Sequence, residues 1–130
     1  MTYFTVTKDP EGDTGLHTIT VDDILMFEYS RRYNKILMTT AEGVFYTGGT
    51  LAYWTNAFIN TGKNFIQSDR GTSINLDKVI SVDTILRVVY FDYYHNGKQL
   101  RCTMSEKRSP SVIRELRLLE ASVDFIKERL

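Results

Sequence analysis

Two short loops concentrate side chains that hydrogen-bond well to nucleic acid. The first is the run Ser30-Arg31-Arg32-Tyr33-Asn34-Lys35, which follows an apolar stretch, and the second carries Asp69-Arg70. Arginine presents a planar fork that pairs with guanine O6 and N7, and asparagine pairs in the same way with adenine N6 and N7. The alternative is that Arg31-Arg32 belong to a solvated loop and that Asn34 only satisfies its own turn.

A third charged group, Glu106-Lys107-Arg108, follows Met104-Ser105. Contacts to phosphates position a protein without reading base sequence, and we predict them for Lys35, Lys63, Lys107 and Arg108. Two acidic residues, Asp69 and Glu106, oppose phosphate binding. A carboxylate also accepts a hydrogen bond from cytosine N4 or orients a neighbouring arginine, so Asp69 fits either a contact or a supporting role for Arg70.

Side chains typical of catalytic or metal sites are sparse and scattered. His17 and His95 have no second histidine or cysteine at a metal-ligating spacing. The single Cys102 excludes an internal disulfide and a Cys-based zinc cluster, and we expect a structural thiol in a reducing compartment. Gly48-Gly49-Thr50 lacks the lysine of a phosphate-binding loop and reads as a turn. We therefore predict a protein that is not an enzyme and that has no metal or cofactor.

The composition is that of one ordinary globular domain. The chain has 130 residues, of which 42% are hydrophobic and 25% charged, and its formal net charge is zero. That balance hides an asymmetry, because residues 1–23 carry five acidic residues and one lysine, whereas residues 24–110 carry eleven Lys and Arg and seven Asp and Glu. The three charged loops lie in the basic stretch. No apolar run approaches the ~20 residues that span a bilayer, so we expect a cytoplasmic protein with no membrane contact.

The elements that must position these loops are mostly strands. Up to about residue 105 the sequence alternates apolar, β-branched and aromatic residues between turn signals, including Asn96-Gly97. We predict strands over residues 3–7, 16–21, 23–29, 36–40, 44–47, 79–82, 85–93 and 99–104. The stretch Ser73-Ile74-Asn75-Leu76-Asp77 is interpreted as a turn.

Two segments show helical periodicity. Residues 50–59 begin at Thr50, an N-cap candidate, and a C-terminal helix is predicted over 109–130 with Ser109 as its N-cap and Pro110 at the first helical position. In the latter, apolar residues recur at spacings of 4, 3, 4, 3 and 4, which is typical of a coiled-coil seam. We predict that this seam forms a homodimer; the alternative is packing inside the monomer. The seam residues are Val112, Leu116, Leu119, Val123, Ile126 and Leu130.

The stretch from Phe65 to Val79 resembles the signature of the LytTR family. Residues 74–79, Ile-Asn-Leu-Asp-Lys-Val, are similar to the family's hydrophobic-Asn-Leu-Asp-Lys-hydrophobic pattern, and Arg70 falls on the family's arginine. Asp69 and Gly71 stand where the family usually has His and Ser. The resemblance extends over roughly residues 19–116, with further similar elements at 21–28, 45–51 and 104–105.

The resemblance implies a mainly β, elongated LytTR-type sheet fold with one short internal helix and a C-terminal amphipathic helix. It implies a single domain, 1–130, with an N-terminal strand pair (1–18), a LytTR core (19–108) and the C-terminal helix (109–130). Because no phospho-receiver sequence accompanies the domain, we expect a stand-alone protein controlled by abundance, oligomerisation or a separate regulatory protein.

LytTR domains of bacterial response regulators place loops into successive major grooves of DNA. The resemblance therefore implies a sequence-specific transcriptional regulator that binds double-stranded DNA as a homodimer. The residues that match the family's DNA-contacting loops are Arg31, Arg32, Asn34, Lys35, Asp69, Arg70, Lys107 and Arg108. The alternative is a LytTR-fold interaction module or antagonist that has lost DNA binding, a hypothesis motivated by Asp69, Glu106 and the zero net charge.

Overall fold

The computed structural model describes residues 1–119 and 123–126, which form eleven strands and two α-helices. The strands are β1 (Tyr3–Val6), β2 (His17–Thr20), β3 (Ile24–Ser30), β4 (Lys35–Thr40), β5 (Gly43–Thr47), β6 (Phe65–Asp69), β7 (Thr72–Asn75), β8 (Val79–Asp83), β9 (Val88–His95), β10 (Lys98–Thr103) and β11 (Asp124–Ile126). The helices are α1 (Leu51–Asn60) and α2 (Ser109–Leu118), and single 3₁₀ turns span Val21–Asp23 and Leu76–Lys78. The predicted mainly β class is confirmed.

The strands form three sheets. A central five-stranded sheet has the order β5-β4-β3-β7-β6, a four-stranded sheet has the order β10-β9-β8-β11, and β1 pairs with β2. All described pairings are antiparallel except that of β11 with β8. Strand β3 pairs with β4 on one side and β7 on the other, so it lies at the centre of the central sheet. No described helix is long and apolar enough to cross a membrane.

Strand β3 begins with four consecutive buried residues, Ile24, Leu25, Met26 and Phe27. An alternating strand buries one face, so a continuous apolar run indicates that both faces are covered. Ile24 and Phe27 pack in a cluster with α1 and the β1–β2 pair, whereas Leu25 and Met26 pack in a second cluster with the four-stranded sheet and α2. A register shift between Ile24 and Met26 resets the alternation, which brings two successive residues into the same cluster.

Helix α1 begins where the sequence predicts. The Thr50 side chain accepts a hydrogen bond from the Tyr53 amide at 3.0 Å, which is the predicted N-cap contact. On the buried face, the ring of Phe58 lies 5.6 Å from that of Phe27 and 5.0 Å from that of Phe65, measured between centroids. These aromatic contacts dock the helix on the central sheet.

Asn75 joins β3 to the second half of the signature. Its side chain is 3% exposed, donates through Nδ2 to the Ile24 carbonyl at 2.9 Å, and accepts from the Asp77 amide at 3.1 Å. A buried amide that satisfies both a strand carbonyl and the start of a 3₁₀ turn cannot be replaced by an apolar residue without losing both bonds. The Asn of the Asn-Leu-Asp pattern therefore has a structural role.

Two local predictions differ from the structure. Residues 73–75, interpreted as part of a turn, belong to β7, because all four residues of this strand are buried between β3 and β6. Residues 85–87, predicted as the start of a strand, form a turn in which Asp83 Oδ1 accepts from the Ile85 and Leu86 amides at 3.0 and 2.8 Å. The Asp83 carboxylate competes with strand pairing at this point.

The predicted helix over residues 109–130 is too long. Helix α2 ends at Leu118, and Asp124–Ile126 form β11, which pairs in parallel with β8. The open edge of β8 offers backbone partners to the sequence around Phe125, and this tertiary contact overrides the helical periodicity. Leu130 lies outside the described residues.

The predicted dimer seam is not a continuous helical stripe. Val112 and Leu116 are 0% and 1% exposed and pack with the four-stranded sheet, as the internal-packing alternative requires. Leu119 and Val123 are partly buried against the same cluster, and Ile126 lies in β11. The described part of the seam thus contributes to the core of one chain.

Substituting Asn75→Ala is expected to lower the free energy of unfolding by about 2–4 kcal/mol, because two buried hydrogen bonds are lost. The matched control is Asn64→Ala, since the exposed Asn64 donates a single hydrogen bond to Asp77 Oδ1; its expected cost is at most about 0.5 kcal/mol. Urea unfolding of both variants measures the difference, and equal costs would contradict the structural role of Asn75.

Candidate nucleic-acid interface

One end of the central sheet carries an open groove with a volume of about 960 Å³. It lies where β3 runs into its loop and β6 turns into β7. We call it the loop groove, and its lining residues are Tyr29, Arg31, Asn34, Gly49, Thr50, Leu51, Asp69, Arg70, Gly71 and Ser105. Four separate segments of the chain therefore meet at this groove.

The β3–β4 loop presents Arg31 and Asn34 to the groove. Asn34 has φ of 52°, in the left-handed region where asparagine is among the tolerated residues, and its Oδ1 accepts from Tyr29 Oη at 2.8 Å. Beside them, the Arg32 guanidinium lies 5.1 Å from the centroid of the Tyr33 ring, which holds its charge at the surface. Arg31 and Arg32 are both exposed.

The β6–β7 turn presents Arg70 at its tip. Asp69 Oδ1 accepts from the Gly71 amide at 2.8 Å, so the carboxylate closes the turn and forms no ion pair with Arg70 among the described residues. Gln67 Nε2 donates to the Arg70 carbonyl at 3.2 Å. Arg70 is exposed, and its main chain is fixed on both sides.

The turn before α2 reaches the groove only through Ser105. The Ser105 amide donates to the Ser68 carbonyl at 2.9 Å, and Ser105 Oγ accepts from the Arg108 amide at 3.1 Å. Lys107 is exposed and Arg108 half-buried, beside the groove and outside its lining. This short turn attaches two cations to the rim.

The start of α1 also lines the groove, which the sequence interpretation missed. Gly49 has φ of 96°, and a Cβ there would lie 2.9 Å from Trp54 Nε1, which donates to the Gly48 carbonyl at 2.7 Å. Glycine is thus required for α1 to begin beside the loops. The sequence signal for this helix start is the Thr50 N-cap directly before Leu51, the first apolar residue of the helical period.

Of the predicted DNA-binding residues, the structure brings four together in the groove: Arg31, Asn34, Asp69 and Arg70. Arg32, Lys35, Lys107 and Arg108 are not part of its lining. Lys63, a predicted phosphate contact, instead pairs with Asp22, with 2.9 Å between Nζ and Oδ1. Tyr29, which sequence reasoning missed, lies between the two arginine-bearing loops.

Two carboxylates, those of Glu28 and Asp69, belong to residues that pair with Thr72 from its two sides in the central sheet. Partial burial and the negative charge of Asp69 raise the pKa of Glu28 above its ordinary value.

Burial raises the pKa of the Cys102 thiol to about 11, although a hydrogen bond with Ser68 opposes the shift. Cys102 is therefore a protonated structural thiol at neutral pH, as the sequence indicates.

Within the described residues, one group of three carboxylates could face a metal ion, formed by Asp9, Glu11 and Asp13. Both oxygens of Asp9 already accept hydrogen bonds, Oδ2 from the Asp13 amide and Oδ1 from Thr14, and these contacts lower its pKa to about 2. The Asp9 carboxylate is thus engaged in holding its own loop.

The sequence and the fold both match a known family. The family model described as the LytTr DNA-binding domain matches residues 14–114, and the chain belongs to this family of DNA-binding domains. Among solved structures, it is similar to the LytTr DNA-binding domain of a putative methyl-accepting/DNA response regulator from Bacillus cereus. The TM-score is 0.63 and the identity 12%, over 92% of this chain and 99% of that chain, so this likeness shows the fold. A search of curated proteins finds no match.

Substituting Glu28→Gln is expected to raise the stability of the folded chain at pH 7. A carboxyl with a raised pKa stabilises the folded state when protonated, and this contribution is lost as the pH rises through the folded-state value. Glutamine stays neutral, so the advantage of the variant should shrink as the pH falls through that value. Urea unfolding of both proteins at a series of pH values from 7 downward measures the stability difference and its pH dependence, and a variant less stable than wild type at pH 7 would contradict the account.

Proposed function

We propose that the chain is a transcriptional regulator that binds double-stranded DNA sequence-specifically, inserting its loops into the major groove. The observation that carries the proposal is the loop groove, where Arg31 and Arg70, distant in sequence, lie on one surface at one end of a rigid sheet. A pair of arginines held by separate turns can address neighbouring base pairs. Membership of the LytTR family supports DNA as the ligand.

In this proposal, contacts to base edges and contacts to phosphates are made by different residues. Arg70, at the tip of a turn fixed by Asp69 and Gln67, and Arg31 with Asn34 read base edges. The remaining predicted cations contact phosphates and set the position on the duplex: Arg32, Lys35, Lys107 and Arg108. Asp69 acts mainly by shaping the Arg70 turn, because one of its oxygens is committed to the Gly71 amide.

We further propose that two copies bind repeated half-sites. A single groove of this size reads few base pairs, and a second copy lengthens the recognised sequence. Val112 and Leu116 are buried in one chain, so pairing would occur on DNA rather than through these two residues. A cytoplasmic location and control by a separate regulatory protein belong to the same proposal.

A second candidate function is a LytTR-fold module that binds or antagonises another protein. The observation that favours it is the negative charge of Asp69 in the groove lining, which adds to the burial that raises the pKa of Glu28. Negative charge at that position repels phosphates. The zero net charge of the chain points the same way.

A salt titration separates the two functions. The wild-type chain should bind a duplex selected from a random library. The logarithm of its affinity should fall linearly with the logarithm of the salt concentration. Arg70→Ala is expected to weaken binding to the selected duplex by roughly 5- to 150-fold while leaving random duplex binding nearly unchanged, as loss of a bidentate base contact does. Fluorescence anisotropy with labelled duplexes measures both.

The matched control is Arg101→Ala, which removes the same charge from an exposed position on β10, outside the groove. It should leave the affinities for the selected and the random duplex nearly unchanged. Failure of the wild-type chain to bind any duplex at low salt would remove the first proposal and leave the second.

A further inference from the structure

Tyr29 connects the two arginine-bearing loops of the groove. Its main-chain amide donates to the Gly71 carbonyl at 3.0 Å, in the turn that carries Arg70. Its phenol hydroxyl donates to Asn34 Oδ1 at 2.8 Å, in the loop that carries Arg31. One residue at the end of β3 therefore fixes the relative position of both loops through two separate hydrogen bonds.

The bond from Tyr29 accompanies one orientation of the Asn34 amide, in which Oδ1 faces the phenol hydroxyl. A carboxamide has an acceptor oxygen and a donor NH₂ group of nearly equal size, so a free asparagine can present either one. The phenol proton is donated to Oδ1, and no described residue accepts from Nδ2. The NH₂ group of Asn34 is left for a ligand, on a backbone held in the left-handed region.

We propose that Tyr29 is a positioning residue that sets base preference at one base pair by locking the amide of Asn34. This inference rests on the proposed function. The locked amide directs its donor to an acceptor on a base edge, such as purine N7. A flipped amide would direct its acceptor oxygen to the amino groups of cytosine or adenine, which is a different preference at the same position.

Removing the phenol hydroxyl should relax that preference without removing the contact surface. In Tyr29→Phe, the main-chain bond to Gly71 is retained and the amide of Asn34 is free to turn over. The expected result is a loss of roughly 2- to 10-fold in discrimination at one base pair, the size of one neutral hydrogen bond, with little change in binding to random duplex.

The experiment measures the affinity for all four base pairs at each position of the selected duplex. It compares the wild type with Tyr29→Phe, Asn34→Gly and the double variant; glycine is used at residue 34 because it accepts the positive φ without strain. Tyr29→Phe and Asn34→Gly should lose discrimination at the same base pair, and the double variant should lose no more than Asn34→Gly alone.

Tyr33→Phe is the matched control, because it removes a phenol from the same loop and keeps the ring under Arg32. It should leave all base preferences unchanged. Two outcomes would overturn the inference while the proposed function stands, both in an experiment where the wild type binds DNA. In the first, Tyr29→Phe keeps all the base preferences of the wild type. In the second, Tyr29→Phe changes the preference at a different base pair from Asn34→Gly. Absence of wild-type binding to any duplex removes the proposed function and this inference together.

Discussion

Burial of both faces of β3 is the constraint on which the rest of the structure depends. Ile24 and Phe27 are fully buried on the side of α1, and Leu25 and Met26 are buried on the side of the four-stranded sheet. Burying a side chain of this size contributes about 1.5–3 kcal/mol, so the strand cannot shift its register without exposing one of two clusters. The same strand then leaves the core at Tyr29, where the groove begins.

The groove combines rigid positions with opposing charges. The arginines project from turns that are closed by local hydrogen bonds, such as that from the Gly71 amide to Asp69, so little main-chain entropy of these turns remains to be lost in a complex. The carboxylate that gives this order also weakens the attraction for phosphates. A site of this kind favours discrimination between ligands over raw affinity, because geometry contributes more to it than net charge.

The sequence predicts the locally determined parts of this structure and misses those that depend on distant contacts. The Thr50 cap and the alternating strands carry their own signals within a few residues. By contrast, β7 is short and wholly buried, and β11 forms because β8 has a free edge, so neither has a distinctive local pattern. Tyr29 reads as an ordinary strand residue, since its role comes from a turn some forty residues further along the chain.

The pairing of β3 with β7 also has a consequence for the order of assembly. The β3–β4–β5 hairpins join neighbours in sequence and can form early, whereas Phe27 meets Ser73 only after a long loop has closed. On the ribosome, the β3–β4 loop with Arg31 emerges well before the β6–β7 turn with Arg70. The groove between them is not formed until β7 pairs with β3. A ligand that requires both loops therefore recognises only chains whose central sheet is finished, which makes binding competence a late event in biosynthesis.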